Sequence, residues 1–160
     1  MGLSRNAKVG LYKSIVVPSL VYGSESWSLS ARDRSRLEVV EMKCLRSICG
    51  LRRVDRVRNE EIRRRCQMEV SISERVEQNV LRWFGHMERM PEERVVKQVY
   101  MSRVEGVGGR SRPRRRWLDR VREYVEKRNV EWARARDLTS DRCEWRGIWM
   151  GHCGAGMPGK

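Results

Sequence analysis

The sequence predicts an all-α protein: several short amphipathic helices joined by basic loops, with a disordered Gly-rich tail. Three observations predict it. No sustained run alternates apolar with polar residues, as a half-buried strand would. Several segments place apolar residues at helical spacing instead. Those segments are bounded by residues that start and stop helices, such as Ser30 with Asp33, Gly50 and Pro91.

The elements follow in order. Residues 7–21 fit one helix or two short ones, with Pro18 forcing a break or kink. Tyr22 to Trp27 is a turn with an aromatic anchor at each end. Ser30-Ala-Arg-Asp33 has the form of a capping box and opens a helix that Gly50 can close. Leu37, Cys44, Leu45 and Ile48 share one face of it, and Arg32, Arg36, Lys43 and Arg46 share the opposite face. Glu41 falls in the middle of the apolar arc. A carboxylate there needs a partner, and Arg34 on the same side is the local candidate for a structural pair.

Asn59 caps the next helix, with Glu60 and Glu61 at the positive end of its dipole, and this helix reaches about Gln67. Ser73 caps another, which runs to Arg89 and stops before Pro91. Val76, Val80, Trp83, Phe84, Met87 and Met90 form its apolar stripe; Arg75, Arg82 and Arg89 lie on the far side, with His86 on the flank. Residues 92–104 are compatible with a short helix. The run GVGGRSRPRRR, Gly106 to Arg116, reads as a flexible basic linker. A helix from about Pro113 to Arg128 buries Trp117, Leu118, Val121, Tyr124 and Val125. A last one, from about Ser140 to Trp149, sets Trp145 and Trp149 one turn apart.

Charge points to a polyanionic partner. The net charge is +14, and 29 of the 35 basic residues are Arg. Lys would serve bulk solubility as well; Arg is preferred where a planar fork must grip phosphate. Arg114, Arg115 and Arg116 oppose the dipole at the start of their helix by a few tenths of a kcal/mol each. Residue choice against local stability points to function. Backbone N–H groups at that helix start, together with the guanidiniums, form a phosphate site. Interleaved tryptophan adds a composition suited to stacked bases.

Enzyme signatures are missing. There is no Gly-rich phosphate loop followed by Lys-Ser/Thr, no G-x-S-x-G, no H-E-x-x-H, and no adjacent Asp pair for two-metal nucleotidyl transfer. No catalytic residue, metal site or cofactor is therefore assigned, and the chain on its own is expected not to be an enzyme. The five cysteines are odd in number and lack a C-x-x-C pair, which argues against a disulfide framework. Cys143, His152 and Cys153 lack a second ligand pair for zinc. No stretch approaches the roughly 18 uninterrupted apolar residues of a membrane span. The expected location is intracellular, away from membranes, with nucleus and cytoplasm not distinguished.

The blocks LYKSIVVPSLVYGSESW, LEVVEMKCLRSICG, RNEEIRRRC, LRWFGHMERM, GGRSRPRRRWLDRV and DRCEW follow one another over residues 8–146. In that order they resemble the C-terminal part of reverse transcriptases of LINE-type non-LTR retrotransposons. The family pattern commonly has Gly between the two Arg before Pro, where this chain has Ser111. The resemblance implies a fragment of an RNA-directed DNA polymerase: the thumb and a downstream basic helical extension, binding template RNA and primer DNA. The palm's Tyr-x-Asp-Asp motif has no match here, and the palm domain is an implied partner. On this reading residues 1–105 are a thumb-like helical region, 106–116 the linker, 117–150 a small helical extension and 151–160 the tail. The nucleic-acid-binding candidates are Arg110, Arg112, Arg114, Arg115 and Arg116, together with Arg82, His86 and Arg89. The alternative is a noncatalytic helical remnant of a retroelement that serves protein–protein contact.

Overall fold

Pro18 sets the course of the first helical run. A proline has no N–H to donate, and its ring crowds the carbonyl four residues earlier. The computed structural model, which describes residues 2–102 and 115–151, keeps the run helical by widening it. Helix α1 (Arg5–Leu11) passes into a π turn (Tyr12–Val16) and then into α2 (Val17–Leu20). The Val17 N–H reaches back five residues to the Tyr12 carbonyl. The expected break is thus a single wider turn, a known answer to proline in a helix. Among the described residues there is no strand, and no helix is long and apolar enough to cross a membrane.

The chain forms two compact units, Met1–Ser24 with Leu29–Val76, and Glu25–Ser28 with Glu77–Lys160. In the first unit, α3 (Ala31–Cys49) starts as its sequence predicts. The Ser30 hydroxyl accepts the Asp33 N–H and Asp33 accepts the Ser30 N–H, each at 3.2 Å. The Ser30 hydroxyl, which also donates to Asp33 Oδ2 at 2.6 Å, and the Ser30 N–H hold the Asp33 carboxyl below its ordinary value. Gly50 closes the helix at φ 67°, a left-handed conformation that costs glycine little. Leu45 and Met42 are buried against Val9, Tyr12 and Val17 of the first run and against Ile62 and Cys66 at α4 (Asn59–Arg65).

Two helix starts differ from the sequence expectation. Asn59 is the first residue of α4, not its cap; Arg58 holds that position. The Asn59 amide oxygen instead accepts Arg46 Nη2 at 2.8 Å. Likewise α5 (Ile72–Glu88) is capped by Ser71, whose hydroxyl accepts the Glu74 N–H at 3.2 Å. The Ser73 hydroxyl donates to Glu38 at 2.8 Å. In both cases a long-range hydrogen bond claims the side chain that sequence assigned to the cap.

Glu41 is fully buried, as its azimuth predicts. Its partner comes from across the core rather than from its own helix. Arg63 Nη2 donates to Glu41 Oε2 at 2.8 Å, and the Ile72 N–H donates to Oε1 at 3.1 Å. Arg63 thus supersedes the local candidate, Arg34, as the cation that answers this charge. Burial and the Glu41 charge push the Tyr12 phenol above its ordinary range. On the outer side of α4, Arg64 and Arg65 pull the Glu61 carboxyl down to about 2. The Cys49 and Cys66 sulfurs touch at 3.3 Å as free thiols, and burial and that contact push Cys66 up to about 12.

The second unit is organised around Phe84 on α5. Its ring lies 6.5, 5.5 and 5.7 Å from the rings of Trp117, Trp132 and Trp145. Those three come from α7 (Trp117–Glu126), α8 (Trp132–Leu138) and α9 (Arg142–Met150), while α6 (Val95–Met101) follows α5. Val80, Leu81, Phe84 and Met87 are buried on α5, whereas Trp83 and Met90 are only half-buried. Helix α7 starts at Trp117, later than the predicted start near Pro113, because Arg115 and Arg116 are not helical. Asp119 accepts the Arg116 N–H at 2.9 Å and fixes that boundary. Helix α8 is absent from the sequence expectation. Helix α9 begins at Arg142, with the Asp141 carboxylate accepting the Cys143 and Glu144 N–H groups.

Gly85 sits in the interior of α5, where glycine costs about 1 kcal/mol relative to Ala. The cost has a local reason. The Trp145 indole lies over Gly85 and donates its N–H to the Leu81 carbonyl at 2.9 Å. A Cβ at position 85 would stand 2.2 Å from that indole nitrogen. Gly85→Ala is expected to destabilise the protein by about 1–3 kcal/mol, the usual cost of overpacking. Urea unfolding followed by circular dichroism measures it. A variant more stable than the parent would mean that the indole yields and helix propensity wins.

Candidate nucleic-acid interface

Many of the excess cations are consumed by the fold, and sorting them defines the candidate surface. Lys97 is buried; its ammonium donates to the Met87 and Glu88 carbonyls at 2.9 and 3.2 Å, closing the C-terminal end of α5. Glu88 also accepts the Tyr100 hydroxyl at 2.5 Å. Burial and this bond raise the Tyr100 phenol above its ordinary value. Lys127 Nζ holds both oxygens of buried Glu77, at 3.0 and 2.9 Å, and Arg128 Nη1 lies 3.5 Å from the same carboxylate. Buried Arg120 pairs with Glu123 at 2.6 Å. Arg122 and Arg136 lay their guanidiniums over the Trp132 ring, 5.2 and 5.8 Å from its centre. Sequence reasoning missed the roles of Lys97 and Lys127, since each joins residues whose proximity only the fold creates, whereas Arg120 with Glu123 and Arg136 with Trp132 had helical spacing as a signal.

Of the predicted candidates, Arg82 and His86 are exposed and one turn apart on α5, with the His86 ring 5.2 Å from that of Trp83. Arg89 is placed differently. Half-buried, it donates Nη1 to the Thr139 carbonyl at the end of α8, and burial together with nearby Arg142 lowers its pKa. Arg115 and Arg116 are exposed just ahead of α7; Arg115 Nη1 lies 3.5 Å from Glu123. Arg110, Arg112 and Arg114 lie outside the described residues.

Two expectations are corrected here. The Arg116 N–H is not open to a phosphate, because Asp119 occupies it. Trp117, Trp132 and Trp145 surround Phe84, and the Trp117 and Trp145 indole N–H groups donate to the Glu25 and Leu81 carbonyls. They build the core and do not offer a stacking platform for bases. Among the described residues no group of three or more His, Cys, Asp or Glu side chains is placed to hold a metal. Cys143 is exposed, and the other residues of the imagined zinc set, His152 and Cys153, lie outside the described residues.

No family model and no solved structure matches the chain. Among curated proteins, an uncharacterized transposon-derived protein of Caenorhabditis elegans is 26% identical over 158 residues, covering 90% of this chain and 54% of that protein. The chain therefore spans about half the length of this relative, and what it is similar to is a transposon-derived protein.

Proposed function

We propose that this chain is a noncatalytic nucleic-acid-binding portion of a retroelement reverse transcriptase, gripping template or primer through phosphate contacts. The observation that carries the reading is the exposed set Arg82, His86, Arg115 and Arg116, on a unit whose Lys97, Arg120 and Lys127 are held by its own carbonyls and carboxylates. Similarity to a transposon-derived protein supports a mobile-element origin. The full-length activity, polymerisation on a palm domain, belongs to the reading and not to the residues described.

A second reading has its own observation. Helix α6 leaves Val95, Val96, Val99 and Met101 exposed. Such an apolar face suits contact with another protein domain, the palm or an unrelated partner. Salt dependence separates the two readings. Replacing Arg112, Arg114, Arg115 and Arg116 by Gln is expected to flatten the slope of log K against log salt by roughly 2–4 units. Each phosphate contact contributes about −0.7 on single strands and −0.9 on duplex. The loss should be similar across sequences, because phosphate contacts position without specifying. An unchanged slope with intact helix content shifts the site to Arg82 and His86. No salt-sensitive binding by the parent protein rejects the nucleic-acid reading.

A further inference from the structure

The first unit carries a basic groove that none of the candidates above touches. It lies between α3 and the segment 51–59, encloses about 800 Å³, and is lined in part by Lys43, Arg46 and Arg53. Buried Met42, half-buried Leu51 and exposed Val39 add aliphatic surface to the lining, and Ser35, Ser47 and Asn59 add neutral polar groups. Glu38 is the acid in the lining, and it already accepts the Ser73 hydroxyl at 2.8 Å.

We propose that this groove binds the backbone of single-stranded nucleic acid, as a second site separate from the cations of the other unit. The first support is preorganisation. Arg46 Nη2 donates to the Val57 carbonyl at 3.2 Å and to the Asn59 amide oxygen at 2.8 Å. Its guanidinium is held in place and loses little freedom on meeting a phosphate. The second is charge. Residues 51–58 carry Arg52, Arg53, Arg56 and Arg58, all exposed, against the single acid Asp55, which is tied to the Arg52 N–H at 2.6 Å. The third is residue choice. Arg56 adopts φ 49°, a left-handed conformation in which Gly or Asn would be less strained. A cation is kept there against local stability.

The dimensions select the strand state. A cleft of this volume beside one helix admits one or two nucleotides and not a duplex. The lining holds no aromatic ring, so base stacking adds little, and phosphate contacts to Lys43, Arg46 and Arg53 of the lining, with exposed Arg56 on the adjoining segment, supply the affinity. Binding is therefore indifferent to sequence. Ser35, Ser47 and Asn59 can hydrogen-bond a 2′-hydroxyl, which favours RNA over DNA. The inference rests on the nucleic-acid reading only for the identity of the polyanion; its residues are distinct.

The test uses the full chain and two oligonucleotides, U20 RNA and a 20-base-pair DNA duplex, titrated across a salt series. Lys43, Arg53 and Arg56 are exposed, so replacing all three by Gln leaves the fold intact by circular dichroism. The expected result is a U20 salt slope flatter by about 1–2 units at about −0.7 per phosphate, with the duplex slope unchanged. Ser47→Glu, which places a carboxylate in the groove, weakens U20 binding several-fold by an independent route. Wild-type U20 binding by both variants overturns the proposal, even where the Arg112 to Arg116 variant has lost its own share. Competition by poly-glutamate, charge for charge as strong as U20, also overturns it and assigns the groove to acidic protein.

Discussion

Phe84→Ala is expected to cost about 3–5 kcal/mol, the usual price of removing a fully buried aromatic ring. Phe84 has no exposed surface and meets the rings of Trp117, Trp132 and Trp145, so its loss leaves a cavity bordered by three other helices. Domains of this size are stable by only about 5–15 kcal/mol, so the variant should lose most of its margin. Trp83→Ala, one residue away, is the internal control. Both belong to the apolar stripe by sequence, but Trp83 is half-buried and packs beside exposed His86. Its truncation should cost clearly less. Urea midpoints for the two variants, at matched transition slopes, make the comparison. Equal losses would place Trp83 in the core and refute the arrangement described.

The same pair shows what could be read without coordinates. Signals carried by one helix are legible. The Ser30 and Asp33 capping box, the left-handed Gly50 and the buried Val76, Val80, Phe84 and Met87 of the α5 stripe follow from spacing alone. Signals that depend on tertiary partners are not. Helix α8 offers only Trp132, Ala135 and Leu138 at three-residue spacing, and its N-cap, Glu131, makes no side-chain capping bond. It is fixed instead by Trp132, which packs on Phe84 and carries the guanidiniums of Arg122 and Arg136. Asn59 and Ser73 are residue types that favour caps, yet Arg46 and Glu38 claim their side chains. Of the candidate surface, the exposure of Arg82 and His86 followed from the helical wheel. The fixing of Arg89 on Thr139 did not, since that carbonyl lies 50 residues away. The groove beside α3 gave no local signal, because α3 and the segment 51–59 become its two walls only in the folded unit.

Arg63→Leu should be comparably damaging in the first unit, at about 3–5 kcal/mol. A buried ion pair adds little net stability over a well-packed apolar pair, but removing one partner strands the other charge. The Glu41 carboxylate has about 1% of its side chain exposed, against 23% for Arg63, so the acid bears the larger desolvation penalty. Taking away the guanidinium 2.8 Å from Oε2 leaves that penalty unmet. The prediction is sharpened by a second change. Glu41→Gln in the Arg63→Leu background removes the stranded charge, while the amide oxygen can still accept the Ile72 N–H that now lies 3.1 Å from Oε1. The double variant should therefore recover part of the stability lost by Arg63→Leu alone, giving a coupling energy of about 0.5–3 kcal/mol in a double-mutant cycle. Chemical unfolding of the parent, both single variants and the double variant measures it. Strictly additive losses would show that Glu41 and Arg63 do not act as a pair. The odd acid in the apolar arc of α3 would then owe its stability to the Ile72 backbone bond and its other neighbours.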